Sequence, residues 1–485
     1  MLATLVVLAL ATTALPLDQL RTERRELARR PRGIIYNNDG CDALYYPKDK
    51  PLTVDSFLAA RTSGVAGSQV GAIAYCTISS GFGFFTHATR AGQVLTRQSA
   101  DYGLMPAYRN VTQELIELGG DCFQQVLTWG HANRTEVFWS MRMNDTHDVA
   151  HRPDKPYLLY PPLKEQHPEW LVGDWLKPTP HGRWSSVDYG RPEVRELAFR
   201  YLEEVCTNYD LDGVELDWLR HSCFFRSVAQ GGKASDAERG AVTDLMRRVR
   251  AMTEAIGQRR GRPILVAIRV PDSVDYCRDL GLDLETWLGE GLADILITTC
   301  YFRLNPWSYT VGLARRHGVV AYPCLSDSRV QGETRFRRGS LEGYRGRAAN
   351  AWAAGADGIH LFNIFNPAAP QFRELGSPAA LRGKDKLFFV TYRDGDPADW
   401  LAGGEAYRTV PVLTPAHPVA LQPQPCELEF EVGEEFGTGA PTVTLHLELP
   451  GLEQPARLRA ALNEQPLGAV TASGDWLDFP VQAAW

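Results

Sequence analysis

From about residue 30 to 375, short apolar runs alternate with longer stretches whose apolar residues recur every three or four positions. Continuous apolar runs of this length predict buried strands, and the three-to-four spacing predicts helices with one inward face. Strands are expected at 33–38, 70–78, 136–143, 213–218, 264–270, 295–301, 319–325 and 358–364. Helices are expected at 107–118, 122–132, 193–207, 236–257, 283–290, 309–317 and 341–354. Pro192 followed by Glu193 marks a helix start, because proline suits the first turn and an acid favours the N-terminal end. Gly318 and Gly355 sit where helices stop. Eight strands with intervening helices over this length predict a (β/α)8 barrel. An open doubly wound sheet loses its support, since no Gly-x-Gly-x-x-Gly follows the first strand and no Gly-Lys-Ser/Thr loop occurs.

After about residue 376 the helical period disappears. Runs at 386–392, 407–413, 426–432, 442–449 and 458–462 alternate in short stretches broken by Pro, Gly and Asp. They predict an all-β sandwich over 376–485, with Asn463-Glu464 at a hairpin turn. The sandwich is expected to buttress the barrel rather than to bind ligand. The expected organisation is therefore a leader and basic lead-in over 1–29, the barrel over 30–375 and the accessory domain over 376–485.

Composition narrows the partners. A net charge of −7 argues against nucleic acid, which calls for a basic face. The run 2–15 has the character of a signal-peptide core, though it lacks a positive lead and is followed by the basic stretch Arg21 to Arg32. A secreted or periplasmic location is preferred over a cytoplasmic one. No other segment approaches the length of a membrane span. Nine cysteines occur singly with no Cys-x-x-Cys, so neither a zinc motif nor a disulfide framework is expected, and Cys76, Cys300 and Cys324 are expected as small core residues.

The chemistry concentrates in the fourth run, Gly213-Val-Glu-Leu-Asp-Trp218. Side chains of a strand alternate between its faces, so Glu215 and Asp217 share one side. Carboxylates are seldom buried without partners, and two on one face of an apolar strand point to a site. The plainer alternative is a structural ion pair with arginines; in that arrangement Glu215 pairs with Arg142 or Arg269 and leaves Asp217 nearer the mouth. Barrel enzymes act at the C-terminal ends of their strands. The strand ends here carry Asn37 and Asp39; Arg142, Asn144 and Asp145; Asp217 and Trp218; Arg269 and Asp272; Tyr301; Asp327 and Arg329; and His360 and Asn363.

Two carboxyl groups across a pocket, with aromatic platforms and amide donors, are what glycosidic cleavage requires. Asp217 is expected as nucleophile or charge stabiliser, with Glu215 beside it. The acid is left among Asp272 and Asp327, with Asp39 and Asp145 behind them. Asn37, Asp39, Arg142, Asn144, Asp145, Trp218, Arg269, Tyr301, His360 and Asn363 are the expected substrate contacts. His147, His221 and His360 are possible ligands in type, but no His-x-His or His-Glu-x-x-His spacing occurs, so no metal and no cofactor is expected.

The stretch Tyr189-Gly-Arg-Pro-Glu-Val-Arg-Glu196, then a helix, then Asn208-Tyr-Asp-Leu-Asp-Gly-Val-Glu-Leu-Asp217 resembles the glycosyl-hydrolase-like barrels of the family-10-like group. Asn37-Asn-Asp-Gly40, Glu136 to Asp145 and Ala356 to Asn363 extend the resemblance over about 30–370. It implies a (β/α)8 fold and action on carbohydrate. The fourth strand is also similar to the Asp-Gly-x-Asp-x-Asp-x-Glu motif of chitinase-type barrels, with Glu215 at the first inner Asp and Leu219 at the acid's place. That departure argues against chitinase-style acid catalysis. It keeps a non-catalytic carbohydrate-binding barrel as the alternative to a hydrolase.

Overall fold

A computed structural model of the chain describes residues 14–77, 82–299, 301–327, 330–434, 436, 442–452, 458–468 and 470–482. The apolar run expected as a leader lies outside these residues up to position 13, as do Cys300 and Arg329. Two compact units form, Met1–Val432 and Gly433–Trp485.

The first unit is built on eight parallel strands: β1 (Gly33–Asn38), β2 (Val70–Cys76), β3 (Glu136–Arg142), β4 (Gly213–Asp217), β5 (Leu265–Val270), β6 (Ile295–Thr298), β7 (Val320–Ser326) and β8 (Gly358–Phe362). Each pairs with its sequence neighbours, and β1 closes on β8, giving a closed barrel. All eight expected strands are present within a few residues of their expected ends. Their residues are apolar on both faces because the outer face meets helices and the inner face fills the barrel.

The helices that cover the barrel follow the expected pattern. Among them are α2 (Cys122–Ala132), α3 (Pro192–Asn208), α4 (Asp236–Arg260), α5 (Leu284–Gly289), α6 (Trp307–Arg316) and α7 (Leu341–Ala353), after an N-terminal α1 (Leu17–Ala28). Helix α4 starts in a capping box of Ser235 and Glu238 and stops at Gly261 in the left-handed region. Helix α1 occupies the basic stretch expected only as a lead-in. It forms because Leu20, Arg24 and Ala28 recur on one buried face, and because Glu254 of α4 accepts from both Arg21 and Arg24.

At the amino-terminal end of the barrel, large rings and glycine lie beside the buried ion pair of Arg32 and Glu136. A Cβ on Gly213 would meet the Phe138 ring at 2.7 Å, and one on Gly358 the Tyr322 ring at 2.2 Å. Glycine at these two positions lets the large rings of neighbouring strands fill the centre.

Three of the expected C-terminal strands are absent. Segments 386–392, 407–413 and 426–432 form no strand. Side chains and single backbone bonds hold them instead: Thr391 donates to the Pro411 carbonyl at 3.0 Å, the Leu387 amide to Glu342 at 3.0 Å and the Thr409 amide to Leu304 at 2.7 Å. Pro411 removes a donor from 407–413, and prolines at 397, 415, 418, 423 and 425 interrupt the stretches between the three segments. Within the second unit, β9 (Val443–Glu448), β12 (Thr471–Ser473) and β13 (Trp476–Val481) form a three-stranded antiparallel sheet, and β10 (Ala461–Leu462) pairs with β11 (Gln465–Pro466). Asn463 and Glu464 make the hairpin turn with φ of 47° and 66°, as the sequence predicts.

Candidate functional site at the carboxyl ends of the strands

Toward the carboxyl ends the inner positions of adjacent strands turn polar in register. Ser140 lies beside Glu215, and one step further Arg142, Asp217 and Arg269 share a rung. The period-two expectation holds: Glu215 and Asp217 both enter the barrel.

Glu215 is 1% exposed. Its Oε1 accepts from Asn37 Nδ2 at 3.0 Å and from Ser140 Oγ at 2.7 Å, and its Oε2 lies 3.0 Å from His360 Nε2. Burial alone pushes this carboxyl up, but His360, the hydrogen bonds and Arg269 outweigh it and hold it below the usual range. The partners differ from the expected Arg142 or Arg269. Arg142 instead donates to Asp145 Oδ2 at 2.7 Å, and Arg269 takes Asp217.

Asp217, also 1% exposed, uses both oxygens inside the protein. Its Oδ1 accepts the backbone amides of Leu219 and Arg220 at 3.0 and 2.9 Å, and its Oδ2 pairs with Arg269. The guanidinium of Arg269 lies 4.2 Å from the centre of the Phe362 ring. Arginine suits this place because it remains charged when buried and stacks on an aromatic face.

A second polar group surrounds the end of β3. Asp145 Oδ1 accepts from His147 Nδ1 at 2.5 Å and from the His147 amide at 3.0 Å. Burial raises the Asp145 carboxyl, yet His147 and Arg142 hold it well below its ordinary value. Burial, reinforced by Arg220, holds His221 well below its own. Among the described residues Asp145, His147 and His221 form a group able to hold a cation, with ligand atoms within 4.8 Å of one another. The surroundings fit a cation poorly. Arg142 binds Asp145, Arg220 Nη2 lies 2.8 Å from His147 Nε2, and the Thr146 amide donates to His221 Nδ1 at 3.0 Å. Two guanidinium charges beside the group oppose a third positive charge.

Several expected contacts have structural roles instead. Trp218 is fully buried against Tyr189, Phe224 and Trp287. It follows Asp217 directly, so strand alternation turns it outward into the helix layer, and it offers no sugar platform. Asp272 accepts the amides of Leu304 and Asn305 at 3.0–3.1 Å and so fixes the loop after β6; burial raises its carboxyl. Asn144 bridges Val187 and Cys223 through their backbone and is closed to ligand.

The remaining expected residues stay near the mouth. Asp39 pairs with Arg61, a residue on helix Val54–Arg61 whose place beside the site has no mark in the local sequence. Tyr301, half-buried, has Arg220 at 5.4 Å and Arg393 at 5.8 Å from its ring centre. Asn363 follows β8 with φ of 63°. Asp327 is exposed and accepts from Tyr344 at 3.0 Å. Ser140 joins the site without having been expected there, although it shares the face of Arg142 two residues on; Arg220 and His147, which lie near the ends of β4 and β3 in the sequence, join it as well.

No family model matches the chain, and no curated protein matches it. Among solved structures it is similar to α-L-fucosidase isoenzyme 2 from Paenibacillus thiaminolyticus, at 13% identity over 73% of this chain and 48% of that one, with a TM-score of 0.42. It is also similar to the PgaB (BpsB) glycoside hydrolase domain from Bordetella bronchiseptica, at 11% identity over 72% of this chain and 96% of that one, again 0.42. A maltogenic α-amylase, AmyB from Thermotoga neapolitana, gives 14% identity, 73% and 77% coverage and 0.38. The chain thus spans about half the length of the fucosidase. At such identities the chemistry of this chain rests on its own residues.

Proposed function

We propose that this chain is a glycoside hydrolase acting on an oligo- or polysaccharide held at the carboxyl-end mouth of the barrel. One observation carries the reading: Glu215 and Asp217 share the inner face of β4, amid Asn37, Ser140, Arg269 and His360. Asp217 takes the role of the anion that faces positive charge developing at the anomeric carbon, with Arg269 and two amides holding it in place. Proton donation falls to Asp327, the exposed strand-end acid, whose carboxylate accepts from Tyr344. Tyr301 supplies an aromatic face at the same end.

The second reading is a barrel that binds carbohydrate without cleaving it. It is favoured by the closure of both inner acids, whose oxygens are all engaged within the protein. A screen of a glycan library for hydrolysis and for binding separates the two. The hydrolase reading expects turnover by the parent protein, with Asp217→Asn abolishing it while binding persists, and Asp327→Asn lowering kcat about 10²–10⁴-fold. Binding without turnover of any glycan by the parent protein refutes it in favour of the second.

A further inference from the structure

Outside the β4 site, a cavity of about 40 Å³ lies between the ends of β6 and β7, helix α7 and the segments 390–393 and 410–412. It has room for about three waters, since one needs roughly 10–15 Å³ measured this way. Among the described residues three guanidinium groups line it, those of Arg303, Arg347 and Arg393, and no carboxylate does. Arg303 already has Glu431, and Arg393 donates to Ser326 and to the Asp327 carbonyl.

Arg347 differs from both. It projects from α7 and is 3% exposed. Its Nη1 donates to the Ser326 carbonyl at 2.8 Å, while Nε and Nη2 are buried with no hydrogen-bond partner among the described residues. The rings of Tyr344 and Tyr392, at 4.2 and 5.3 Å, stabilise the charge through their faces. They do not satisfy N–H groups that radiate in the guanidinium plane. Nε and Nη2 form the edge of arginine that grips two oxygens side by side. This chain uses that same edge elsewhere: Arg21 holds Glu254 with Nε and Nη2 at 2.9 Å each, and Arg247 holds Glu290 at 2.7 and 2.6 Å. At Arg347 the edge is formed, buried and anchored, and no described residue supplies the two oxygens.

We propose that this cavity binds a small oxyanion, a carboxylate or phosphate whose two oxygens sit on Nε and Nη2 of Arg347. The anion neutralises a cluster of like charges that would otherwise repel in a low-dielectric setting. The site goes beyond the glycosidase reading and stands whether or not the barrel cleaves sugar.

The test is a thermal-shift and calorimetric titration of the full chain with acetate, glucuronate, inorganic phosphate and, as the uncharged control, glucose. Ionic strength is held constant with chloride. A ligand of the folded state raises Tm in step with its concentration. At least one of the three oxyanions is expected to do so and glucose is not; the ranking separates a sugar-borne carboxylate from a free ion. Arg347→Lys keeps the charge but loses the fork, and is expected to weaken binding about tenfold or more. Arg347→Met is expected to abolish it. Absence of any oxyanion response in the parent protein overturns the proposal, and so does a folded Arg347→Lys variant that binds as tightly as the parent. The parent titration decides even if the variants fail to fold. A binding response in a protein that hydrolyses no glycan leaves the anion site standing and removes only the enzymatic reading.

Discussion

Replacing Arg269 by methionine isolates the energy of the charged rung. Met retains an apolar stem for the Phe362 ring, which the guanidinium now covers at 4.2 Å, but it leaves the Asp217 carboxylate, 1% exposed, without its cation. Removing one partner of a buried pair costs about 3–5 kcal/mol, because the charge left behind has lost its hydration as well. Asp217 keeps the two amides of Leu219 and Arg220, so the loss belongs at the lower end, about 3 kcal/mol. Asp217→Asn turns an amide toward the guanidinium and is expected to cost about 2 kcal/mol. In the double variant no buried charge faces an unsuitable partner, so the loss should fall short of the summed singles by about 2 kcal/mol. Urea unfolding followed by near-ultraviolet circular dichroism, with its tryptophan signals, measures all three. If the losses add within about 0.5 kcal/mol, or if Arg269→Met costs under about 1 kcal/mol, the two side chains do not depend on each other and the reasoning fails.

Two further perturbations read other parts of the barrel. His87 is fully buried, its Nδ1 2.7 Å from Thr77 Oγ1, and burial lowers it from 6.5 to about 4. Between those values the unfolded chain binds a proton that the folded one refuses. Its contribution to stability is therefore complete above about pH 6.5 and is lost as pH falls toward 4, at up to about 1.4 kcal/mol per pH unit. Urea midpoints across this range should slope upward with pH, and His87→Gln should flatten that part; an unchanged slope refutes the assignment. Trp218→Ala should cost about 3–5 kcal/mol of stability, as for a large buried ring, while leaving glycan affinity intact wherever the variant is folded. A folded variant that has lost glycan binding would restore Trp218 as a platform.

The strands were legible because each is buried on both faces, which writes a continuous apolar run into the chain. The shared side of Glu215 and Asp217 was legible for a related reason, since alternation is a local property. Partner choice is not local. Whether Glu215 meets Arg142, Arg269 or His360 depends on how far neighbouring strands are staggered around the closed barrel, and that offset leaves no mark in any one strand. Parity did predict that Trp218 faces the helices, but its position beside Asp217 made it look like part of the site. Helix α1 carried its signal in Leu20, Arg24 and Ala28, spaced by four, and the density of arginine around them disguised it. The segments after residue 376 misled in the opposite way. Tyr392, Val412 and Val432 fall in strand-like alternations, yet side chains and single backbone bonds hold these stretches, and Pro411 removes an amide from the middle one.

The distribution of charge along the inner strands bears on function more directly than any single residue. On β3 the inward positions run Glu136, Phe138, Ser140, Arg142; on β4 Gly213, Glu215, Asp217; on β5 Leu265, Ala267, Arg269. From Phe138 onward each sequence moves from apolar or glycine to charged in the same direction, and the three charged members lie side by side in register, while Glu136 at the opposite end is paired with Arg32. Apolar residues of similar volume serve a barrel core at least as well as a buried ion pair does. Stability alone therefore calls for neither the Arg32–Glu136 pair nor the rung of three charges. The larger cluster stands at the carboxyl ends of the strands, and Glu215, held one rung deeper by Asn37, Ser140 and His360, extends that polarity inward. A site that must orient a polar ligand and face changing charge has use for such a rung, because dipoles and ions already fixed by the fold need no rearrangement when the ligand arrives.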